Sequence, residues 1–429
     1  MRILLKGGRV IDPATDLDAV MDVMIHGGEI EKIDRNITVS KGDVRVIDVS
    51  GYVVAPGLID VHTHLREPGF EFKETIATGT RAAVRGGFTT LVCMANTSPV
   101  NDNRSVTEAI VEKAKAEGAC RVYPCGAITK GLKGEELSEI GDMFNAGIVA
   151  ISDDGRSVKN AELLRKAFEY VKLFNIPVIS HCEDEDLSHG YVHEGAASLL
   201  SGLLAVPSIA EEIIVKRDMA IAAYVGSPVH LTHISTAGSV DAIGESKKRY
   251  RKITCDTCPH YFSLTDEATL SYDTNTRVNP PLRGLSDMEA IKEGLRSNII
   301  DIIATDHAPH DLTSKDVEFD LAAPGISGLE TAFALSLRLV HEGVLPLKEL
   351  LAKFTVNPAG FLNLPYGTLA AETAADIIVF DPLKPWTVDP AAFLSKGRNT
   401  PFGGWKLKGK NLLTIVNGSI VYRDKGFSA

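Results

Sequence analysis

Between about residue 55 and residue 345, short apolar runs alternate with longer segments in which apolar residues recur every three or four positions. The short runs have the length of buried strands, and the longer segments have the period of amphipathic helices. The predicted strands are GLIDV, TTLVCM, RVYPCG, GIVAIS, PVISH, PVHLTH, KITCDT and DIIATD. The predicted helices are roughly 73–86, 106–118, 135–146, 160–174, 208–225, 237–250, 286–296 and 330–341. This alternation predicts an α/β fold, a parallel (β/α)8 barrel of the TIM type.

The two ends of the chain have a different pattern that contains strands only. ILLKGGRVID and VMIHGGEIEKI each place a Gly-Gly pair between apolar runs, which predicts a hairpin turn. Near the C-terminus, ADIIVFD and LLTIVNGSIVYRD add strands, with a further turn at Asn417-Gly418. We predict that residues 1–54 and 361–429 build one small β-sandwich domain, and that residues 55–360 form the catalytic barrel.

Composition and charge narrow the classes of function. The chain has 429 residues, a net charge of −11 and no dense basic tract, which argues against nucleic-acid binding and favours a small polar substrate. It has no apolar run of membrane-spanning length and no secretory signal pattern. Six scattered cysteines do not suggest a disulfide framework, and Cys255-x-x-Cys258 has no second pair with which to form a zinc ribbon. We expect a reduced, cytoplasmic enzyme.

Two histidines mark the end of the first predicted barrel strand, in DVHTHLREPG. His62 and His64 are two residues apart, so an extended strand directs both side chains to the same face. Such a pair of imidazoles suits a divalent metal such as zinc. A bare H-x-H is just as typical of two polar residues at the start of a loop, so the later strand ends must decide.

Further candidate ligands follow the later strands. The fourth strand leads into Asp153-Asp154-Gly155, and the other candidates at strand ends are His181, His233 and Asp306. The carboxyl ends of barrel strands meet at one face, where the chemistry of such barrels lies. Four imidazoles and two carboxylates exceed the needs of one tetrahedral ion and suit two ions that share a bridge. Two ions would activate a bridging hydroxide, and Asp306 could move its proton to a leaving nitrogen, which predicts hydrolysis or condensation at an amide-like carbon.

The motifs DVHTHLREPG, MANTSPV, ISDDG, SHCED, THIST, NPPLRG and ATDHAPH, in this order, resemble those of the class I bacterial dihydroorotases of the amidohydrolase superfamily. The resemblance extends from about residue 50 to about 360. It implies a zinc enzyme that interconverts N-carbamoyl-L-aspartate and L-dihydroorotate in pyrimidine synthesis. It also implies two zinc ions, one held by His62, His64 and Asp306 and the other by His181 and His233.

The residue that bridges the two ions separates this family from its relatives. Hydantoinases and allantoinases bridge with a carboxylated lysine, whereas this chain has no lysine at the end of the fourth strand, and class I dihydroorotases use aspartate. We predict Asp154 as the bridge, because it directly precedes Gly155, although spacing favours it only mildly over Asp153.

Dihydroorotate has an exocyclic carboxylate beside a cyclic diamide, and several residues could bind it. Arg66 offers a two-pronged guanidinium for the carboxylate. The other predicted substrate contacts are His64, Asn96, Asn279, His310, Pro324 and Gly325. Asn279 could instead only shape the turn before Pro280-Pro281, and Arg66 could form a surface salt bridge.

Two alternatives to a dihydroorotase remain at this point. One is a hydantoinase or allantoinase, and the other is an inactive homologue that serves as a scaffold for a transcarbamoylase. The complete set of ligands argues against an inactive protein. We expect a homodimer that could also associate with aspartate transcarbamoylase, and no nucleic-acid or membrane partner.

Overall fold

The structure is a computed structural model that describes residues 2–39 and 44–427. Before the barrel come β1 (Arg2–Asp12), β2 (Leu17–His26), β3 (Glu29–Asp34), β4 (Val44–Asp48) and β5 (Val53–Pro56). Next come β6 (Leu58–Thr63), β7 (Phe88–Cys93), β8 (Arg121–Gly126), β9 (Ala150–Ile151), β10 (Val178–His181), β11 (Val192–His193), β12 (Ala205–Val206), β13 (Val229–Thr232), β14 (Ile253–Thr257) and β15 (Ile302–Ile303). The last strands are β16 (Ile377–Thr387), β17 (Lys406–Val416) and β18 (Ser419–Arg423).

The helices lie between and after the barrel strands. They are α1 (Ile76–Gly86), α2 (Arg104–Glu117), α3 (Ile140–Ala146), α4 (Ala161–Val171), α5 (Ala196–Ser201), α6 (Ile209–Val225), α7 (Ala237–Lys247), α8 (Leu285–Arg296), α9 (Ala332–His341), α10 (Leu347–Ala352) and α11 (Val356–Phe361). Several begin where a side-chain oxygen accepts a backbone N–H of the first turn, at Thr75, Asn103, Asn160 and Thr236. The sequence did not predict the short helices α5, α10 and α11.

The predicted barrel is confirmed. Its eight parallel strands pair in the order β6-β7-β8-β9-β10-β13-β14-β15. The ring closes just beyond β15, where Thr63 and His307 form a parallel bridge and the His64 N–H donates to the His307 carbonyl at 2.8 Å. This closure brings the segment around residue 62 next to the segment around residue 306.

The two ends of the chain form one separate sheet, as predicted. Its strands pair in the order β18-β17-β16-β5-β1-β2-β3, and β4 pairs with β1. The hairpin turns predicted at Gly27-Gly28 and Asn417-Gly418 are confirmed, since His26 pairs with Glu29 and Val416 with Ser419.

The hairpin predicted at Gly7-Gly8 is wrong, because β1 runs straight through it with a bulge. Gly7 has a positive φ of 74°, which favours glycine, and its N–H donates to Asp22 Oδ1 at 2.8 Å. A Cβ on Gly8 would lie 2.7 Å from Val54 Cγ2, so this glycine allows a neighbouring strand to approach.

The terminal sheet contacts the barrel through alternate residues of β16. Ile377 and Val379 pack into the sheet's own apolar cluster, whereas Ile378 and Phe380 pack against the barrel, as the two-residue period of a strand requires. β5 ends at Pro56 and β6 begins at Leu58, so the chain passes from sheet to barrel within two residues. The domain limits given above stay predictions.

All six cysteines are buried and free, as the sequence indicated. Burial raises the pKa of the Cys255 thiol to about 12, so this residue is a neutral core side chain. Among the described residues, none of the helices combines the length and the apolar character that a membrane span requires.

We expect the Phe354→Ala variant to lose about 4 kcal/mol of its free energy of unfolding, the usual cost of such a truncation in a core. Phe354 is fully buried and packs its ring against Phe88 and Phe333, each at a centroid distance of 6.0 Å. Denaturant unfolding measures the loss. Phe72→Ala is the control, because Phe72 is 61% exposed and its removal should cost less than about 0.5 kcal/mol. Equal losses in both variants would contradict this packing.

Candidate metal centre and active site

The six predicted ligands converge at the carboxyl ends of the barrel strands. All six side chains are buried. His62 lies in β6 and His64 directly after it, Asp154 follows β9, His181 ends β10, His233 follows β13 and Asp306 follows β15.

A bulge in β6 sets the direction of the two histidines. In this strand residues 60–63 pair with only residues 91–93 of β7, so β6 contains one extra residue. Val61 packs into the apolar cluster inside the barrel, and strict alternation would turn His62 away from that side. The extra residue shifts the alternation, so His62 and His64 reach the same centre with their rings 5.3 Å apart.

Asp154 lies at the middle of the site. Its Oδ1 is 3.2 Å from His62 Nε2, 3.8 Å from His181 Nδ1 and 3.7 Å from His233 Nε2. Its Oδ2 is 3.5 Å from His64 Nε2. One carboxylate therefore faces all four imidazoles, which is consistent with the predicted bridging position.

Asp153, the alternative bridge, points elsewhere. Its Oδ1 accepts the backbone N–H groups of Ile128 and Thr129 at 2.7 and 3.0 Å, and its Oδ2 accepts the Thr129 hydroxyl. Burial raises the pKa of Asp153 to about 6. The geometry thus supports Asp154 as the bridge and gives Asp153 a structural task.

Hydrogen bonds fix the tautomer of His62. The Thr232 hydroxyl donates to Asp256 Oδ2 at 2.9 Å, so it accepts from His62 Nδ1 at 2.7 Å. In the neutral imidazole of His62 the proton is therefore on Nδ1, and the lone pair of Nε2 faces the centre. Asp256 also accepts the backbone N–H of His233 at 2.7 Å, so one carboxylate holds two of the predicted ligands.

His64 and His181 are oriented in the same way. His64 Nδ1 donates to the side-chain oxygen Oδ1 of Asn96 at 3.0 Å, which leaves Nε2 facing Asp306 Oδ1 at 3.0 Å. His181 Nε2 donates to Glu183 Oε2 at 3.0 Å, which leaves Nδ1 facing the centre, 2.9 Å from His233 Nε2 and 3.8 Å from Asp154 Oδ1. Metal-binding histidines commonly donate their second ring N–H to an oxygen in this manner.

The site fits divalent metal. Two groups have ligand atoms within 4.8 Å of one another, His62–Asp154–His233 and His62–His64–Asp306. His62 Nε2 is buried without a hydrogen-bond partner, an arrangement that is costly unless a cation binds there. Burial disfavours a charged imidazole at His62, but the Asp154 and Asp306 carboxylates outweigh it and raise the pKa of His62 to about 10. The same carboxylates attract a metal ion.

A cavity of about 260 Å³ opens onto this centre, which suits a small molecule. Arg66 lies in its wall, and although burial lowers the pKa of Arg66 to about 10, the guanidinium stays charged at neutral pH. Its Nε donates to the Pro309 carbonyl at 3.3 Å, which leaves donors for a ligand carboxylate. The other predicted substrate residues, His64, Asn96, Asn279, His310, Pro324 and Gly325, also line the cavity.

Some of these residues also have partners within the protein. His310 Nε2 donates to the Pro324 carbonyl at 2.9 Å, and burial together with Arg66 lowers the pKa of His310 to about 2, so its imidazole is neutral. Gly325 has a φ of 139°, and a Cβ there would lie 2.6 Å from Ala308 Cβ, so only glycine fits. The Gly325 N–H donates to the Arg277 carbonyl at 2.9 Å and is not available to a ligand.

The sequence analysis missed the residues that orient the ligands. Thr232, Glu183 and Asp256 were not singled out, although Asp256 is an acidic residue within the apolar strand β14 and Glu183 lies in the SHCED motif. A charged residue inside a predicted buried strand is a signal that could have pointed to Asp256.

Comparisons with known proteins agree with this geometry. Residues 51–239 match the profile of a family described as Dihydro-orotase-like. A dihydroorotase of Syntrophus aciditrophicus is 51% identical over 99% of this chain and 100% of its own length. The chain belongs to the dihydroorotase family. Another member, a dihydroorotase of Acetivibrio thermocellus, is also 51% identical over 99% of both chains.

Solved structures of more distant proteins share the fold. A dihydropyrimidinase from Brevibacillus agri superposes with a TM-score of 0.88 at 23% identity, covering 100% of this chain and 96% of that one. An L-hydantoinase from Arthrobacter aurescens has a TM-score of 0.89 at 21% identity, with coverage of 100% and 97%. At these identities the similarity shows that this dihydroorotase family member has their barrel fold.

We expect Asp154→Asn to lose most of its bound metal, because an amide offers one coordinating oxygen where the bridge needs two. Asp153→Asn should keep its metal, since Asp153 contacts only backbone and hydroxyl donors. Elemental analysis of the two variants, purified side by side with added zinc, measures the difference. Loss of metal from Asp153→Asn alone would reverse the assignment.

Proposed function

We propose that this member of the dihydroorotase family is a zinc-dependent dihydroorotase with two zinc ions per subunit. It would interconvert N-carbamoyl-L-aspartate and L-dihydroorotate. The observation that carries the proposal is the charged, partly unpaired guanidinium of Arg66 in the wall of a cavity whose floor is the His–Asp centre. The 51% identity with proteins named dihydroorotase over nearly the whole chain supports the same substrate.

The proposal assigns a role to each predicted metal ligand and to four residues that line the cavity. His62, His64 and Asp306 would hold one ion, His181 and His233 the other, and Asp154 would bridge them. When bound, the ions supply Lewis acidity and lower the pKa of a coordinated water. Arg66 would orient the substrate by its carboxylate, with Asn96, Asn279 and His310 around the ring.

Asp306 would carry the proton. In ring opening, water adds to the ring carbonyl carbon, the C–N bond breaks and the nitrogen takes up a proton. Asp306 would accept the proton from the water and return it to that nitrogen. Burial opposes ionisation of Asp306, but His64 and His62 hold its pKa below the usual range, so it is ionised at neutral pH. Ring closure runs the same steps backwards and releases water.

A hydantoinase or allantoinase is the second candidate. The solved structure of an L-hydantoinase shares the fold at 21% identity, and that of a dihydropyrimidinase shares it at 23%. Hydantoin has no carboxylate for Arg66, so this residue favours dihydroorotate. The cytoplasmic location, the homodimer and the association with a transcarbamoylase stay predictions.

We expect the zinc-loaded protein to open the dihydroorotate ring, with no comparable turnover of hydantoin or allantoin. Ultraviolet absorbance of the substrate follows the reaction, and a chelated sample should be inactive until zinc is restored. Turnover of hydantoin or allantoin instead would move the chain to the second candidate. Bound metal without turnover of any of the three would support the scaffold role.

Asp306→Asn should keep its metal near the normal level and lose roughly a factor of 1,000 in kcat, since an amide cannot accept the proton. Elemental analysis and steady-state kinetics on the same preparation separate the two effects. Asp320→Asn, at an exposed position, is the control. Activity of Asp306→Asn close to that of the wild type would remove Asp306 from the role of base.

Arg66→Met should raise the KM for dihydroorotate by roughly 100-fold, because two charge-assisted hydrogen bonds to the substrate are lost. Arg66→Lys keeps the charge without the planar fork and should fall between Met and Arg. KM values at saturating zinc provide the test. An unchanged KM in Arg66→Met would show that the carboxylate binds elsewhere.

A further inference from the structure

We propose that Glu183 is a positioning residue that couples the metal centre to substrate recognition, by holding His181 and Asn279 in fixed orientations with a single oxygen atom. The inference rests on the proposed function and adds a determinant of substrate affinity that lies outside the metal ligands. Glu183 follows β10 by two residues, and its side chain is 13% exposed.

Two hydrogen bonds to the Glu183 side chain converge on one atom. Oε2 accepts from His181 Nε2 at 3.0 Å and from Asn279 Nδ2 at 2.9 Å. Glu183 is absent from the described residues that line the cavity, whereas His181 and Asn279 are both among them. Glu183 therefore acts on a bound molecule through these two neighbours and not by direct contact.

The contact with His181 selects a tautomer. Because a carboxylate only accepts, the proton of a neutral His181 must be on Nε2. The lone pair on Nδ1 then faces the predicted metal ligands, with His233 Nε2 at 2.9 Å and Asp154 Oδ1 at 3.8 Å. Without this acceptor the proton could move to Nδ1, where it would oppose a metal ion. A partner of this kind commonly changes metal affinity 10–100-fold.

The contact with Asn279 selects the orientation of an amide. The carboxylate can face only the NH2 end, so Asn279 Oδ1 must point the other way. Among the described residues, Oδ1 has no hydrogen-bond partner, and it is not among the buried atoms that lack one. Asn279 therefore presents an acceptor to the cavity it lines.

An acceptor at this position recognises an N–H group. The ring of dihydroorotate has amide N–H donors, and the open chain keeps them in its carbamoyl group. If the amide of Asn279 turned over, its NH2 would face those donors, and the match would become a repulsion. Glu183 thus determines that Asn279 presents a hydrogen-bond acceptor to the substrate, and it also orients His181, a predicted metal ligand.

The test compares three substitutions at residue 183. Glu183→Met keeps the length but removes the acceptor, and should raise the KM for dihydroorotate about tenfold and weaken zinc affinity 10–100-fold. Glu183→Gln can place its carbonyl oxygen at the position of Oε2, and should recover most of both losses. Glu183→Asp is shorter by one methylene, and should lie between them. Glu185→Gln is the control in the same loop, because Glu185 forms a salt bridge with Lys159 at 3.2 Å.

A double-mutant cycle with Asn279→Ala separates the two contacts. In the Asn279→Ala background, Glu183→Met should change KM less than about twofold, because the amide it orients is gone. The loss of zinc affinity should persist in both backgrounds, because it acts through His181. Chelator competition measures zinc affinity independently of turnover, and KM is measured at saturating zinc.

Each outcome decides for or against the inference. An unchanged KM in Glu183→Met, or an equal KM increase with and without Asn279, would overturn it, as would a Glu183→Gln variant as impaired as Glu183→Met. If Glu183→Met fails to fold, Glu183→Asp and Glu183→Gln make the same comparison. Absence of wild-type turnover of dihydroorotate would refute the proposed function instead, and the zinc affinities would still test the contact with His181.

Discussion

A single buried carboxylate joins the first barrel strand to the end of the last. Asp60 is fully buried, and its Oδ1 accepts the backbone N–H groups of His62 at 3.2 Å and Thr305 at 3.1 Å. Its Oδ2 accepts the Thr305 hydroxyl at 2.6 Å. Burial raises the pKa of Asp60 to about 7, which shows how costly this group is to ionise in place. In return, Asp60 holds the backbone at two places: at the bulge before His62 and at Thr305, the residue before Asp306.

Backbone strain is concentrated around the same centre. Positive φ values of 42°, 44° and 62° occur at His233, Asp306 and Arg66. Residues other than glycine rarely adopt this left-handed region of the backbone. Such conformations persist only where the surroundings over-determine them. Here Asp256 holds the N–H of His233, and the barrel closure holds the chain on both sides of Asp306. The strain turns the side chains that follow the strands inward, toward the shared centre.

The barrel could be predicted from the sequence because the periods of strands and helices are local. The candidate ligands could be predicted because the ends of parallel barrel strands must meet at one face. It could not reveal the bulge in β6, since one extra residue in a strand leaves the apolar pattern nearly unchanged. The role of Glu183 depends on Asn279, which is 96 positions away, so no local pattern encodes it. The hairpin predicted at Gly7-Gly8 was wrong for a related reason, because a glycine pair is compatible with either a turn or a bulge.

The distribution of charge across the cavity explains how an acidic protein can bind an acidic substrate. The net charge is −11, and two of the carboxylates that it includes, Asp154 and Asp306, are buried at the centre, so the overall field repels anions. Bound cations would reverse the sign at the floor of the cavity. Arg66 is the only lysine or arginine among the described residues of its wall, so in the proposed function it would supply positive charge where the substrate carboxylate enters. In the proposed function, selectivity for a cyclic amide with a carboxylate would thus depend on one guanidinium held beside a centre whose carboxylates attract cations.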